Sequence, residues 1–219
     1  MEQIIGQIII WALPVLVAVV FHEVAHGWVA NRLGDPTAAR LGRLTLNPLA
    51  HVDLFGTILV PLMLIVASSP FIFGWAKPVP VNYNNLRNPK RDMMWVAAAG
   101  PATNLILAAG CAAVWRLLAP MTGTQSDPGA IDFVTPVVLM VQAGILINVT
   151  LAVFNLLPLP PLDGGRVLAG LLPDSLSNQV AKIEPFGFII LIVLLMTRVL
   201  DRIISPPIEL LLRFYLGAF

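Results

Sequence analysis

The sequence predicts an all-α membrane protein, a polytopic bundle of transmembrane helices with a small membrane-associated β-hairpin or edge-strand element. Three observations predict it. Of 219 residues, 58% are hydrophobic and only 11% are charged, whereas a soluble domain carries about 25% charged residues. Uncharged stretches able to cross ~30 Å of hydrocarbon recur at 3–21, 93–115 and 133–162. Between the first two, Ala39, Leu41, Leu44 and Leu46 interleave with Arg40, Arg43 and Thr45 around Gly42, which suggests two short strands.

The first helix is expected from about Ile4 to Arg32, bent or loosened at Pro14, and ended by Gly34-Asp35-Pro36. After the two short strands, Asn47-Pro48 makes a turn. His51 and Asp53 follow as candidate metal or catalytic groups, or as the cap of the next helix, for which Asp53 is a good residue; the capping reading is favoured. Residues 54–76 are uncharged but broken by Pro61 and Pro70, so they either span once or dip in and return. The stretch 74–82 carries Pro78 and Pro80 and is extended, either an edge strand able to accept a substrate peptide or a rigid loop. A second sure span covers 93–115, and its Asn104 can hydrogen-bond across a close contact with the first helix. A third apolar helix must stop near Leu157, because Pro158, Pro160 and Pro161 force extended backbone at membrane depth. Such backbone is tolerated only when buried in protein or lining a wet cavity. Residues 186–197 are apolar but short, and the tail from Ile208 reads as an interfacial helix.

The same composition narrows function. A net charge of +1 with scattered Lys and Arg gives nucleic acid no footprint. The single cysteine, Cys111, excludes an intrachain disulfide and a cysteine-based metal site. Met1-Glu2 supplies no basic region, so the first apolar run reads as a retained helix rather than a cleavable signal. Compact loops without repeats predict one domain over 1–219.

The chemistry sits at the end of the first apolar run, in His22-Glu23-Val24-Ala25-His26. Histidines four apart lie on one helical face and can close on a single Zn²⁺. Glu23 projects from the flank, where it reaches a water held by the metal instead of the metal itself. Three letters are a weak signal in a soluble chain. Inside a bilayer each ionisable group costs about 2.5–3.5 kcal/mol on insertion scales, so such groups are kept chiefly for function. Asp163, just after the proline-rich loop, can be delivered to the same ion, and two histidines with a carboxylate leave a fourth position for water.

Charge sets the topology. Arg32, Arg40, Arg43, Lys77, Arg87, Lys90 and Arg91 are placed in the cytoplasm by the positive-inside rule. The loop 119–132, with Asp127 and Asp132, falls outside, although Arg116 nearby argues mildly against this. Both conditions hold only if 54–76 enters and returns on one side, which also brings His22, His26 and Asp163 together toward the cytoplasmic end.

Three motifs in order, His22-Glu23-Val24-Ala25-His26, Gly100-Pro101-Ala102-Thr103-Asn104, and Asn155 with Pro158, Asp163 and Gly164, resemble those of the site-2 protease family of intramembrane zinc metalloproteases. The likeness covers the chain from the first helix to about Leu168. It implies zinc on His22, His26 and Asp163, Glu23 as general base and acid, and Asn155 supporting the substrate carbonyl. It also implies one metalloprotease domain with a catalytic core over about 4–168 and C-terminal helices over about 183–219, acting on transmembrane protein substrates within the lipid bilayer. The chain resembles the short form, without a PDZ or cystathionine-synthase-type module. A non-enzymatic membrane zinc-binding or transport protein is the alternative; it accounts for the three ligands but gives Glu23 and Asn155 no purpose. Substrate identity and oligomeric state are not legible.

Overall fold

A chain segment in lipid must satisfy its own backbone hydrogen bonds, so the apolar runs become helices. The computed structural model describes residues 2–67, 74–122 and 133–217. Its α-helices are α1 (Glu2–Arg32), α2 (Thr37–Arg40), α3 (Val60–Val66), α4 (Pro89–Leu118), α5 (Val134–Asn155), α6 (Asp163–Leu171), α7 (Asp174–Met196) and α8 (Val199–Leu216). Among the described residues, four helical stretches are long and apolar enough to cross a membrane: Ile8–Arg32, Pro89–Met121, Val134–Asn155 and Asp174–Met196.

α1 continues through Pro14 and stops after Arg32, where Gly34 adopts a φ of 114° that side chains other than glycine rarely reach. The turn is held by Asp35, which is fully buried. Its carboxylate accepts from the Thr37 hydroxyl, the Asn85 side chain and the Asn82 N–H. Burial pushes the Asp35 pKa up, but those hydrogen bonds outweigh it and hold the carboxyl below its ordinary range. Beside it, Arg87 N–H donates to the Leu33 carbonyl at 3.1 Å. The end of α1 therefore meets the start of α4, and the two helices run antiparallel.

No β-strand forms among the described residues, which corrects the expected hairpin and edge strand. Residues 37–40 are a short helix because Asp35 caps the turn before it. The extended pieces on either side of Arg43 and Lys77 meet through a side chain instead of a ladder. The Arg43 guanidinium donates to the carbonyls of Lys77 and Pro78 at 2.9 and 3.3 Å. Prolines at 78 and 80 withhold the N–H groups a ladder would need.

The segment after Asp53 doubles back. Asp53 caps a π-helical stretch, Leu54–Leu59, by accepting from Gly56 N–H at 2.6 Å, and α3 continues it. By Trp75 the chain has returned: Trp75 N–H donates to the Gly56 carbonyl at 3.1 Å, and Thr57 Oγ1 donates to the Trp75 carbonyl at 2.9 Å. Thirteen helical residues rise about 20 Å, short of a ~30 Å core. The segment ends on the side where it began, which is the returning path.

One C-terminal expectation changes. α7 starts at Asp174, twelve residues before the apolar stretch at Phe186, and Lys90 Nζ ties this junction to α4 by donating to Asp174 Oδ1 and to the Leu172 carbonyl just before the helix at 2.7 and 2.6 Å. The tail belongs to α8. Ile208, Leu211, Leu212, Tyr215 and Leu216 of α8 pack on Ala108, Ala112, Ile145 and Val149 of α4 and α5. Most of the loop 119–132 lies outside the described residues.

Candidate metal centre

α1 and the start of α6 bring the chemistry together. His22 and His26 point from α1, and Asp163 opens α6. Among the described residues, these three form a group whose ligand atoms all lie within 4.8 Å of one another. Asp163 Oδ2 is 3.2 Å from His22 Nε2 and 3.3 Å from His26 Nε2.

Those distances suit an ion better than a direct bond. A charge-assisted N–H···O⁻ bond closes to about 2.7–2.9 Å. Donors bonded at ~2.0–2.1 Å to one tetrahedral Zn²⁺ stand roughly 3.3–3.4 Å apart. Asp163 Oδ2 is also buried with no hydrogen-bond partner, which costs about 1–3 kcal/mol unless something else engages it. The donor set, two imidazole nitrogens and one carboxylate oxygen, is that of a zinc site with an open fourth position. The residues fit the ion.

The far sides of both rings are fixed. His22 Nδ1 lies 2.5 Å from Asn104 Oδ1, and His26 Nδ1 lies 2.7 Å from the Val96 carbonyl. Asn104 is fully buried, and its orientation is unambiguous because Nδ2 faces two acceptors, the Ala18 carbonyl at 3.1 Å and Asn148 Oδ1 at 2.8 Å. Asn148 Nδ2 in turn donates to the Gly144 carbonyl. With acceptors at both Nδ1 atoms, each imidazole carries its proton there and turns a bare Nε2 toward Asp163. Interhelical hydrogen bonds in membranes average only about 0.6 kcal/mol. The network's weight is in orientation more than stability.

Close approach explains two glycines. A Cβ on Gly100 would sit 2.5 Å from His26 Nε2 and 2.6 Å from His22 Nε2, inside the space between the ligands. On Gly164 it would run into the Leu156 and Leu157 carbonyls, so glycine lets the proline-rich loop fold back and set Asp163 at the first turn of α6.

The other candidate residues separate. Glu23 lies beside the triad on α1, where Oε2 accepts the Val79 N–H at 2.8 Å. Asn155 closes α5, and its Nδ2 donates to Leu151 of its own helix. His51 bonds the Thr45 carbonyl through Nε2 at 2.8 Å and is not among the grouped ligands. Sequence reasoning placed Asn104 at the helix contact but missed its partner, and it missed Asn148 and the Val96 carbonyl. An asparagine inside an uncharged span was the available signal for Asn148; backbone groups give none.

Comparison with known proteins now bears on this geometry. The profile of Peptidase family M50 matches residues 129–197. "Putative zinc metalloprotease YwhC" of Bacillus subtilis is 38% identical over 197 residues, covering 90% of this chain and 84% of the relative. The chain belongs to peptidase family M50, the site-2 proteases. "Putative zinc metalloprotease Rip2" of Mycolicibacterium smegmatis is 32% identical over 187 residues, 85% of this chain and 66% of the relative. The Rip2 protein of Mycobacterium tuberculosis strain H37Rv is 29% identical with the same coverage of both chains. This chain thus spans just under two thirds of the mycobacterial M50 relatives. No solved structure matches it significantly. M50 enzymes are zinc-dependent, in keeping with the donor set above.

One prediction concerns the M50 site's support. Asn104→Ala removes the acceptor that fixes His22, and zinc affinity should fall about 10–100-fold, as for other partners of ligating histidines. Competition against a chelator of known affinity measures it; an unchanged affinity would make Asn104 a packing residue only.

Proposed function

We propose that this protein is an intramembrane zinc metalloprotease that hydrolyses peptide bonds within or near the transmembrane segments of other membrane proteins. The observation that carries the proposal is the convergence of two bare Nε2 atoms and an orphaned carboxylate oxygen beside Glu23, with both histidines on a helix long and apolar enough to cross a membrane. His26 and His22 precede the end of α1 by six and ten residues, about 9 and 15 Å along the helix.

His22, His26 and Asp163 would hold the metal. Zinc, when bound, supplies Lewis acidity and brings the pKa of a coordinated water toward ~7. Glu23 accepts a proton from the attacking water and returns it to the leaving amine. Asn104 and the Val96 carbonyl keep both imidazoles in the ligating tautomer throughout. Asn155, four residues past Leu151 at the end of α5, hydrogen-bonds the substrate carbonyl after releasing its local partner. The substrate helix must unwind over a few residues, since helical carbonyls are covered by their own hydrogen bonds.

The basic residues between α1 and α4 set the site toward the cytoplasm by the positive-inside rule, and water enters from there. The catalytic core is about residues 4–168 of a single domain. A zinc carrier would use the three ligands equally well but would leave Glu23 and its hydrogen bond without a task.

The test is cleavage of a single-span membrane protein by purified, zinc-loaded enzyme in proteoliposomes. A cut within or next to the transmembrane segment, stopped by chelation and restored by zinc, is expected. An intact substrate across a panel of single-span proteins, with zinc verified in the enzyme, would contradict the reading.

A further inference from the structure

The segment from Lys77 to Asn82 is an extended strap pinned at both ends. At one end, Lys77 N–H donates to the His51 carbonyl at 2.9 Å, and Arg43 holds the carbonyls of Lys77 and Pro78. At the other, Asn82 N–H donates to the buried Asp35 at 2.6 Å. Between these pins, Pro78 and Pro80 have no N–H to give. Val79 carries the donor between them, and it goes to Glu23.

The strap is also pressed onto α1. Val79 is buried, and a Cβ on Gly27 would approach Val79 Cγ1 and Leu44 Cδ2 to 2.6 Å each. Gly27 is four residues after Glu23, so both lie on one helical face, next to the face of His22 and His26. The strap therefore runs along the Glu23 face of the site. A slip of one residue would present a proline to Glu23 and leave the carboxylate without a backbone partner.

We propose that this strap positions the catalytic base: the Val79 N–H fixes Glu23 Oε2, which aims Oε1 at the reacting water, and Arg43 keeps the strap in register. The proposal rests on Glu23 being the base. A glutamate on a helix flank has three rotatable bonds, and one hydrogen bond to the charged carboxylate selects among its rotamers. The same accounting limits strand addition by a substrate, because the N–H groups of Lys77, Val79 and Asn82 are already engaged.

Two measurements test it. Val79→Pro removes the donor and keeps an apolar, extended residue, whereas Val79→Ala keeps the donor and trims the side chain. An amide-to-ester replacement at residue 79 removes the N–H alone and serves if Val79→Pro does not fold, as judged by zinc content. In the donor-less forms kcat should fall about 10–100-fold with KM within about two-fold and zinc unchanged, since misplacing a reacting group by ~1 Å costs up to about 10²-fold. Val79→Ala should keep most of kcat. Equal kcat in the donor-less and Val79→Ala forms would overturn the proposal.

The second measurement does not depend on cleavage. In ¹⁵N-valine-labelled protein, Glu23→Ala should move the Val79 amide proton upfield and leave the Val81 amide in place. An unmoved Val79 resonance would overturn the strap contact. If the wild type cleaves and Val79→Pro matches Val79→Ala, only the positioning role falls; if zinc-loaded wild type cleaves nothing, the protease reading falls.

Discussion

Glu23→Gln should abolish cleavage while leaving zinc in place. Glutamine is nearly isosteric and its Oε1 still accepts the Val79 N–H, so the strap and the fold are preserved. What disappears is the capacity to take a proton. General-base catalysis contributes about 10²–10⁴-fold, so kcat should fall at least into that range. KM should change little, because the substituted atom contacts the water more than the bound peptide. Zinc per chain should equal wild type, since Glu23 lies outside the three grouped ligands. Retained activity in a pure, metal-loaded sample would refute the assignment, and loss of zinc would make Glu23 a ligand.

The second large effect is at Asp163. Two neutral imidazoles remain when it becomes alanine, and no charged ligand stays on the cation. Removing a partner of a ligand costs about 10–100-fold in affinity, and removing a ligand should exceed that. Asp163→Ala should therefore emerge from equilibration with a competing chelator without zinc, while wild type keeps one ion per chain. The variant should still fold, because Gly164, Gly165 and the loop carbonyls, not the carboxylate, set the packing of α6 against residues 156–162. Full zinc occupancy in the variant would remove Asp163 from the ligand set.

The site was more legible than its supports. His22, Glu23 and His26 are read from helical spacing, and Asp163 from the proline-rich break before it, because side-chain chemistry is written in the letters. The groups that orient them are partly backbone. The Val96 carbonyl and the Val79 N–H look like any other in a sequence, and only the fold says which ones face an imidazole or a carboxylate. Asn104 stood out as a polar residue in a span, but its choice of His22 depends on the antiparallel register of α1 and α4.

The fold shows a similar division. Three of the four spanning stretches follow from uncharged length, whereas the apolar part of α7 is short on its own. The expected hairpin failed because alternation of Ala39, Leu41, Leu44 and Leu46 was counted across two different structures, a four-residue helix before Gly42 and an irregular stretch after it. A strand needs a partner with free N–H groups, and the neighbouring segment has prolines and an arginine clamp there instead. α7 begins before the apolar stretch at Phe186, in a polar segment whose Asp174 pairs with Lys90, a partner distant in sequence that the local pattern does not show.

The central claim is that two imidazoles from α1 and one carboxylate from α6 hold a single ion. Zinc-edge X-ray absorption on the purified protein tests it most directly. The predicted spectrum shows one zinc with two imidazole nitrogens and oxygen donors, all at about 2.0–2.2 Å, and loses that signature in Asp163→Ala. A zinc-loaded wild type without imidazole scattering, or a spectrum identical in the variant, would contradict the account.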